Sequence, residues 1–365
     1  MKRVIVSVTN DLGTDQRVYK ICNTLLKMNY EILLIGRKLS GSKEIKRPYK
    51  VYRFKLFFNK GFLFYAEYNL RLFFKLCFAK KDILLSNDLD TLLPNFLISK
   101  LFRKKLVYDS HELFTEVPEL INRPFVREFW LNIEKFIVPK LDNCITVSNS
   151  IAKYYNTKYN TNFKVIRNLF NKSTIQKTGE FPFDTNNLKI ILYQGALNKG
   201  RGLELMIDTV QYLNNAIFVI IGSGDLEQKL KEKVTNLNVF DKVKFINRIY
   251  PEKLKKLTPL ADLGISLEED LGLNYKYALP NKLFDYINAE IPVLVSNLPE
   301  MEQIIKTYDV GEIVTSRRPK KLAGQIEILL KKEKSYFQKN LEIAKNELIW
   351  ENEEFKLIEI FENLN

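Results

Sequence analysis

The sequence predicts an α/β protein with two doubly wound, Rossmann-like domains, each built around a parallel β-sheet. Short apolar runs alternate with helical stretches up to residue 148, and the same alternation begins again at residue 188. Continuous apolar runs between helices are typical of parallel sheets that helices cover on both faces. With 365 residues, the chain is also too long for a single ordinary hydrophobic core, which favours two domains.

The first series of apolar runs defines the predicted first domain, residues 1–170. Its expected strands cover residues 3–8, 31–36, 82–86, 105–109 and 143–148. The carboxyl ends of parallel strands meet at one edge of a sheet, where open α/β sheets bind their ligands. The polar turns that follow these strands are therefore the candidate site regions.

The second series defines the predicted second domain, residues 188–348. Its expected strands cover residues 188–195, 217–222, 242–247, 262–267 and 292–296. The segment 171–187 between the two series is polar and contains Pro and Gly. We therefore expect it to be the linker between the domains.

Positive charge is concentrated in the first half of the chain. Residues 1–170 hold 30 Lys and Arg against 15 Asp and Glu, whereas the remaining residues hold 27 against 28. This asymmetry indicates that the first half meets an anionic partner, which leaves a membrane surface, a phosphorylated substrate or nucleic acid. We expect no nucleic-acid partner, because the chain shows no recognised nucleic-acid module.

Residues 47–81 combine many aromatic side chains with nine Lys and Arg. Within this stretch Glu67, Arg71 and Lys75 are spaced four apart, which gives one narrow charged stripe on an otherwise apolar helix. Two interpretations stay open: a buried helix of the first domain, or a helix that lies on an anionic membrane surface.

Two glycine- or proline-led turns of the second domain predict a phosphate site. "GALNKGRGLE" places Gly195, Lys199 and Arg201 before a helix, and "PNKLFD" places Lys282 in the first turn of another. Glycine lets a backbone approach a ligand closely, and a helix N-terminus favours anions. Arg201 and Lys282 together would hold a diphosphate, and Asp285 would accept hydrogen bonds from ribose hydroxyls. The alternative is a pair of turns with solvated charges.

The polar turns of the first domain contain the candidate catalytic groups His111 and Asp88. His111 is the one histidine of the chain and follows a predicted strand in "YDSHELFTE". It would orient the substrate or hydrogen-bond the reacting sugar. Asp88 begins "DLD", which is either an Asp-x-Asp metal pair or a helix cap. With one histidine and no closely spaced cysteines, we predict no metal site.

These segments, in their order along nearly the whole chain, resemble the GT-B glycosyltransferases of family 4. "NDLGTDQRVYK" resembles the family's first loop, which implies that Gly13 contacts the donor and that Asp15 and Arg17 contact the acceptor. "YDSHELFTE" resembles its histidine turn and adds Glu112 to the acceptor side. The resemblance also implies that the two domains face each other across a cleft and that a final helix, residues 349–365, crosses back to the first domain.

The second half resembles the family's donor site. "YQGALNKGRGLE" is similar to its diphosphate loop, and "LPNKLFDYINAEIPVLVS" to its nucleotide-sugar helix, which adds Asn281 and Leu283 to the donor residues. Many members carry Glu-x₇-Glu, whose second Glu corresponds to Asp285 here. The first corresponds to Tyr277, so its role is either unfilled or passes to Glu268 or Glu269. Ala196 stands where many members have Arg.

The resemblance implies retaining, metal-independent transfer of a sugar from a nucleotide diphosphate sugar of the UDP or GDP type, with no further cofactor. The acceptor would be a glycan, a lipid-linked or a phosphorylated molecule at the cytoplasmic membrane face, in cell-surface polysaccharide synthesis. The protein would be cytoplasmic or peripheral on that membrane. Two alternatives remain: a sugar-nucleotide 2-epimerase of the same fold, and a non-enzymatic membrane-surface assembly protein.

Overall fold

The computed structural model describes residues 1–13, 15–121, 123–172, 178–185, 187–332 and 334–364. The chain divides into two compact units. The first contains Met1–Asn168 and Glu353–Asn365, and the second contains Leu169–Asn352. Residues 173–177 and 186 of the predicted linker lie outside the described residues. Each unit has a fully parallel sheet with intervening helices, which confirms the predicted fold class.

The first unit is built on a seven-stranded parallel sheet. Its strands are β1 (Arg3–Ser7), β2 (Glu31–Lys38), β3 (Lys50–Lys55), β4 (Ile83–Asn87), β5 (Lys105–Ser110), β6 (Asn143–Thr146) and β7 (Phe163–Val165). Their spatial order is β3-β2-β1-β4-β5-β6-β7. The order reverses between β1 and β4, which pair in parallel from Val4 opposite Ile83 to Ser7 opposite Ser86. Such a switch point is where open α/β sheets place their ligands.

Helices connect these strands, and two of them begin at a residue whose side chain caps the helix. They are α1 (Gln16–Lys27), α2 (Gly61–Phe78), α3 (Leu89–Leu101), α4 (Pro118–Ile121), α5 (Pro124–Ile137) and α6 (Asn149–Tyr159). Asp15 caps α1 by accepting a hydrogen bond from the Val18 amide at 2.9 Å, and Ser148 caps α6 in the same way through the Ile151 amide. A cap of this kind satisfies an amide that the first turn leaves without a helical partner. Short 3₁₀ turns cover Phe114–Glu116 and Val138–Lys140.

The second unit repeats the same winding with six strands. These are β8 (Lys189–Gln194), β9 (Ala216–Ile221), β10 (Val243–Ile246), β11 (Leu263–Ser266), β12 (Val293–Val295) and β13 (Gly311–Ile313), in the order β10-β9-β8-β11-β12-β13. Its helices are α7 (Leu203–Val210), α8 (Glu227–Asn236), α9 (Pro251–Leu257), α10 (Leu273–Lys276), α11 (Asn281–Asn288), α12 (Pro299–Tyr308), α13 (Pro319–Lys331) and α14 (Lys334–Glu347). Further 3₁₀ turns cover Thr258–Leu260 and Trp350–Asn352. The switch point lies between β8 and β11, and the core is packed around the sheet, with Tyr193, Phe218 and Tyr286 fully buried.

The last helix, α15 (Glu354–Glu362), packs in the first unit. Glu354 accepts a hydrogen bond from the Thr24 hydroxyl at 2.9 Å and lies 3.1 Å from Lys27 Nζ, both on α1. Glu353 is buried and pairs with Arg167 Nη2 at 2.6 Å. These contacts are formed by the segment that the sequence predicted as a final helix of the first domain.

Three strands, β3, β7 and β13, were missed by the sequence prediction. β7 and β13 have three residues each, too few to show a period. β3 lies at the edge of the sheet, in the basic and aromatic segment 47–81, and alternates between partly exposed and exposed side chains until the buried Phe54.

Of the three cysteines, all free, Cys22 and Cys144 are buried and Cys77 is partly exposed. Searching the described residues for a helix that could cross a bilayer finds none with the necessary length and hydropathy.

Candidate functional site

In the first unit, the turns that follow β4 and β5 bring His111 against three other polar side chains. His111 Nε2 lies 3.1 Å from Asn87 Oδ1 and 3.3 Å from Asp109 Oδ2. His111 Nδ1 lies 3.4 Å from Asp88 Oδ2, and the His111 amide donates to Asp88 Oδ1 at 2.8 Å. The imidazole is thus held between two carboxylates, with 21% of its side chain still exposed.

The two carboxylates fix the charge of the imidazole. Burial would lower the pKa of His111, but the charges of Asp88 and Asp109 outweigh it and raise this pKa to about 9. Both ring nitrogens then carry protons and both point at acceptors of the chain. His111 is therefore a cationic group that positions its turn. It is poorly suited to remove a proton from a substrate at neutral pH.

Asp88 adopts a backbone conformation that non-glycine residues rarely occupy, with φ 57° and ψ 169°. Such a conformation costs ~1–3 kcal/mol and persists where the surroundings enforce it. Here the Asp88 amide donates to the Asp109 carbonyl at 2.8 Å while the Asp88 carboxylate meets His111. Asp88 stands at the N-cap position of α3, but no capping bond forms from its side chain, so the alternative that the Asp88 carboxylate caps this helix is wrong. Burial raises the pKa of Asp88 against the opposing charge of His111.

Arg17 occupies a different place from the acceptor contact that we expected. Its side chain is 3% exposed. Its Nε and Nη2 atoms donate to the two carboxylate oxygens of Asp109 at 2.9 and 2.7 Å, and Nη1 donates to the Ile166 carbonyl at 2.6 Å. Burial opposes ionisation of Asp109, but Arg17 and His111 together lower its pKa to about 2. Arg17 is therefore a buried counter-ion of Asp109, the carboxylate that also contacts His111.

The rest of the first loop is tied together by its own side chains. Asp15 accepts from Asn10 Nδ2 at 2.6 Å besides capping α1. The Gly13 amide donates to Asp11 Oδ1 at 2.9 Å, so a carboxylate of the chain already occupies the amide that we assigned to the donor. Glu112 lies in the histidine turn, where its carbonyl accepts from the Ser110 hydroxyl at 2.8 Å.

Asp90, considered from the sequence only as part of the "DLD" pair, belongs to this cluster and was missed as a candidate catalytic group. Its side chain is buried, and Oδ2 accepts from the Thr9 hydroxyl at 2.6 Å. Burial, reinforced by the nearby Asp88 charge, raises the pKa of Asp90 to about 8. The carboxyl is therefore mostly neutral at pH 7. The signal was present as the second Asp of "DLD", whose two carboxyl groups take different roles.

In the second unit, glycines allow the loops after β8, β9 and β11 to touch. Gly222 has φ 158°, and a Cβ there would lie 1.8 Å from the Gly195 carbonyl oxygen. Gly202 has φ 72°, and a Cβ there would lie 2.2 Å from the Leu267 carbonyl oxygen. Both distances are far shorter than any van der Waals contact. The diphosphate-type loop therefore packs directly on the turn that follows β11.

That packing forms a buried ion cluster around Glu268. Lys282 Nζ lies 2.8 Å from Glu268 Oε1, and Arg201 Nη1 lies 3.6 Å from the same oxygen. The Ser266 hydroxyl donates to Glu268 Oε2 at 2.7 Å. Glu268 has no exposed side-chain surface, and burial would raise its pKa, but Lys282 and Arg201 outweigh this and lower it. Two cations from different elements are thus held beside one carboxylate.

Aromatic rings support both cations. Lys282 Nζ lies 4.1 Å from the centre of the Tyr193 ring, and the Arg201 guanidinium lies 4.9 Å from that of Tyr275. The Tyr275 hydroxyl in turn donates to the Lys199 carbonyl at 2.8 Å. The helix α11 begins directly after Pro280 with no side-chain cap, so its positive end lies next to Lys282. The three charged groups sum to one net positive charge beside the positive end of a helix, and this arrangement suits an anion.

The other predicted donor residues lie on the same elements with different contacts. Asp285 Oδ2 accepts from Gln194 Nε2 at 2.9 Å. The Lys199 and Asn281 side chains are exposed, and Leu283 is buried in the core. The Leu283 amide donates to the Pro280 carbonyl at 3.1 Å.

Glu269 meets Arg317, a residue that the sequence analysis did not single out. Arg317 Nη2 lies 3.6 Å from Glu269 Oε1, and Nη1 and Nη2 donate to the carbonyls of Glu268 and Leu267. Arg317 follows the missed strand β13, so its position at a strand end was not recognised. It holds the turn that carries both glutamates.

Across the described ranges, no group of three or more His, Cys, Asp or Glu side chains is arranged to hold a metal ion. The first-unit cluster combines acids with a cationic histidine and an arginine, and the second-unit cluster joins one carboxylate to two cations. The first suits the orientation of a polar substrate. The second suits a phosphate-bearing ligand.

Two family models match the chain and together cover most of it. Residues 178–346 match the glycosyl transferases group 1, and residues 13–173 match Glycosyltransferase Family 4. Among curated proteins, the chitobiosyldiphosphodolichol beta-mannosyltransferase of Candida albicans is 24% identical over an alignment of 262 residues that covers 62% of this chain. That match spans about half the relative's length, 55%.

Solved structures of glycosyltransferases share the fold. The sucrose-phosphate synthase of Thermosynechococcus elongatus is 14% identical with a TM-score of 0.81, over 100% of this chain and 99% of that one. HepE of Anabaena, solved in complex with UDP-glucose, is 14% identical with a TM-score of 0.75, over 100% of both chains. With the two family models and the two doubly wound units, these matches lead to one conclusion: the chain belongs to the GT-B glycosyltransferases of the family 4 type.

Proposed function

We propose that the protein transfers a sugar from a nucleotide diphosphate sugar to a polar acceptor. The observation that carries this proposal is the ion cluster of Lys282, Arg201 and Glu268 beside the N-terminus of α11. Charge that develops on a departing diphosphate would be stabilised by the two cations and the helix dipole. A donor of the UDP or GDP type fits such a site. The UDP-glucose complex of the structural neighbour HepE supports UDP.

We infer a retaining, metal-independent mechanism in which the leaving phosphate helps to deprotonate the acceptor. The cations Lys282 and Arg201 supply the charge stabilisation that a metal supplies in other transferases. In the first unit, the cationic His111 would orient the reacting sugar through the part of its ring that is exposed, because its two N–H groups already meet acceptors of the chain, and Asp88 would hold His111 in place. Glu268 lies beside both cations, and Glu269 pairs with Arg317. Both glutamates would therefore help to hold the donor-site side chains in position.

For the acceptor, we propose a glycan, a lipid-linked or a phosphorylated molecule at the cytoplasmic face of a membrane, in the synthesis of a cell-surface polysaccharide. The excess positive charge of the first half and the segment 47–81 support an anionic membrane surface as a partner. The name of the Candida relative, a transferase that acts on a dolichol-linked chitobiosyl diphosphate, supports a lipid-linked acceptor.

A thermal-shift screen tests the donor half of the proposal. The purified protein is melted with UDP, GDP, TDP and CMP and with their common sugars, because a ligand of the folded state raises the melting temperature in a concentration-dependent way. We expect one diphosphate and its sugars to raise it. If none of them does, the enzymatic proposal fails and a non-enzymatic assembly role takes its place. Interconversion of the free nucleotide sugar without an acceptor would instead identify a 2-epimerase, and NMR of the transfer product reports its anomeric configuration.

A further inference from the structure

The helix α2 directs both an apolar row and its charged stripe toward the protein, whereas an ordinary surface helix directs its charges to solvent. Its buried side is the row Phe64, Tyr68, Leu72 and Leu76. Its charged stripe also faces the protein. Glu67 accepts from the Phe57 and Phe58 amides, Arg71 donates to the Lys55 carbonyl, and Lys75 lies over the Tyr52 ring.

What α2 presents to the outside is a third, apolar row. Phe62, Leu70, Phe74 and Phe78 are 67%, 59%, 53% and 87% exposed, and the exposed Ala66 completes a spacing of four residues. The charged groups of α2 contact the protein, whereas four of its large apolar side chains face outward. Such a helix needs an apolar partner.

The two neighbouring helices extend this row into a face. On α3, Leu97 and Leu101 are exposed, and Phe102 follows directly. On α5, the exposed row is Phe125, Val126, Phe129 and Phe136. The three helices touch through Phe62 and Phe129, whose ring centres are 6.1 Å apart, and through Phe96 and Phe136 at 6.2 Å. We call the exposed apolar residues of α2, α3 and α5 the three-helix face.

The charges around this face are mostly positive. Lys140 Nζ lies 3.2 Å from the centre of the Phe136 ring, and Lys100 Nζ lies 5.4 Å from that of Phe96. Lys80, Arg103 and Lys135 are exposed and lie close in sequence to Phe78, Phe102 and Phe136, and Lys135 Nζ lies 3.7 Å from Glu128 Oε1. The three helices are described in full, and their acids are accounted for: Asp90 and Glu134 are buried, Glu67 pairs with Arg71, and Glu128 is exposed. Aromatic groups interleaved with lysines suit the anionic headgroup region of a bilayer.

The same helices are attached to the candidate site of the first unit. Asn69 on α2 donates to the Asp90 carbonyl at 2.9 Å, and Asp90 lies in the first turn of α3. Trp130 on α5 packs against Phe114, whose ring centre is 5.1 Å away in the turn that follows His111. The helices that carry the three-helix face are thus in direct contact with the turns that carry Asp88 and His111.

We propose that the three-helix face lies on an anionic lipid bilayer, and that it does so to present a membrane-embedded, lipid-linked acceptor to the His111 site. The proposal rests on the proposed transferase function for the acceptor, and it adds α3 and α5 to the 47–81 segment. Within that segment, Arg71 and Lys75 contact other groups of the protein, and β3 pairs with β2 in the sheet. The apolar row is therefore the part of the segment that meets lipid.

Binding of the full chain to vesicles tests the proposal. Phosphatidylcholine vesicles with and without phosphatidylglycerol are sedimented with the protein and with a face variant, Phe74→Ser, Leu101→Ser and Phe129→Ser. A matched control variant, Phe240→Ser, Ile328→Ser and Phe355→Ser, removes three other apolar groups that are 55%, 61% and 57% exposed. All six side chains are at least 46% exposed, so both variants should fold, and their melting temperatures check this.

We expect binding to the anionic vesicles to fall at least ~10-fold in the face variant and to persist in the control. Equal binding by both variants would overturn the proposal. So would a concentration-dependent dimer, seen by light scattering without lipid and lost in the face variant, because a second copy would then cover the face. The melting shift with a nucleotide diphosphate is measured in parallel. Its absence in the wild type would refute the transferase proposal but leave the vesicle result standing.

Discussion

Lys282 Nζ lies 2.8 Å from a carboxylate oxygen of Glu268, and Glu268 has no exposed side-chain surface. This pair joins the first turn of α11 to the turn after β11. An ion pair with so little water is costly to form and more costly to break, because the remaining charge stays buried. Lys282 therefore contributes to the stability of the fold, and its proposed contribution to ligand binding can be measured separately.

The first prediction concerns this pair. Lys282→Met should lower the free energy of unfolding by ~3 kcal/mol, because it leaves Glu268 charged, with Arg201 as a more distant partner. Adding Glu268→Gln should restore most of the stability but none of the donor affinity. Urea denaturation and nucleotide titration measure the two effects. Lys189→Met, which removes a half-exposed partner of Asp262 at 3.3 Å, is the control and should cost ~0.5 kcal/mol or less. Recovery of donor affinity in the double variant would contradict the role of Lys282 in binding.

The second prediction concerns the loop glycines. Gly202→Ala should destabilise the protein by more than ~2 kcal/mol, because φ is 72° there and the new methyl group would meet the Leu267 carbonyl. Gly324→Ala is the matched control. Gly324 lies within α13, where an added methyl group would meet no atom within 4 Å beyond the backbone of its own helix. This variant should gain ~0.5–1 kcal/mol from helix propensity. Equal melting temperatures for the two variants would show that the loop is not packed as described.

The third prediction is a pH dependence of stability from His111. Its folded pKa of about 9 lies above the ordinary value of 6.5. The resulting stabilisation is therefore fully present below pH 6.5 and is lost as the pH rises towards 9. We expect the melting temperature to fall over this window in the wild type and to fall less in His111→Gln. Parallel curves for the two proteins would mean that His111 does not titrate between its two carboxylates.

The fourth prediction contrasts two aspartates of the same cluster. Asp90 has a pKa of about 8 and is mostly neutral at pH 7, so Asp90→Asn should keep or raise the stability there. It should also remove the loss of stability that Asp90 causes as the pH rises from 3.8 to about 8. Asp109 has a pKa of about 2 and accepts two hydrogen bonds from Arg17, so Asp109→Asn should cost ~3 kcal/mol at pH 7. The reverse order of stabilities would refute these charge states.

Much of the fold followed from the apolar runs, because a strand buried on both faces shows itself as a continuous run of Val, Ile and Leu. The ten predicted strands overlap with ten of the observed strands to within about two residues at each end. The edge strand β3 has half-exposed positions filled by basic and aromatic residues. That pattern resembled an interfacial helix more than a strand.

The sites were harder to predict, because partners far apart in sequence decide the role of each residue. Arg17 lies 92 positions before Asp109, and neither residue alone indicates a buried pair. The loop motifs singled out Arg201 and Lys282, which the structure brings together beside Glu268, since glycines and helix starts carry a local signal. The role of Glu268 depended on its burial, which a sequence of several adjacent acids does not show.

The central claim is that the second unit binds a nucleotide through its diphosphate. Calorimetric titration with UDP, UMP, GDP and GMP tests it most directly, because each pair differs by the one phosphate that Arg201 and Lys282 would hold. We predict that one diphosphate binds at least ~10-fold more tightly than its monophosphate, in keeping with charge-assisted hydrogen bonds to that group. Equal affinities for the diphosphate and the monophosphate of both bases would contradict the account, and Arg201 and Lys282 would then be a structural ion cluster around Glu268.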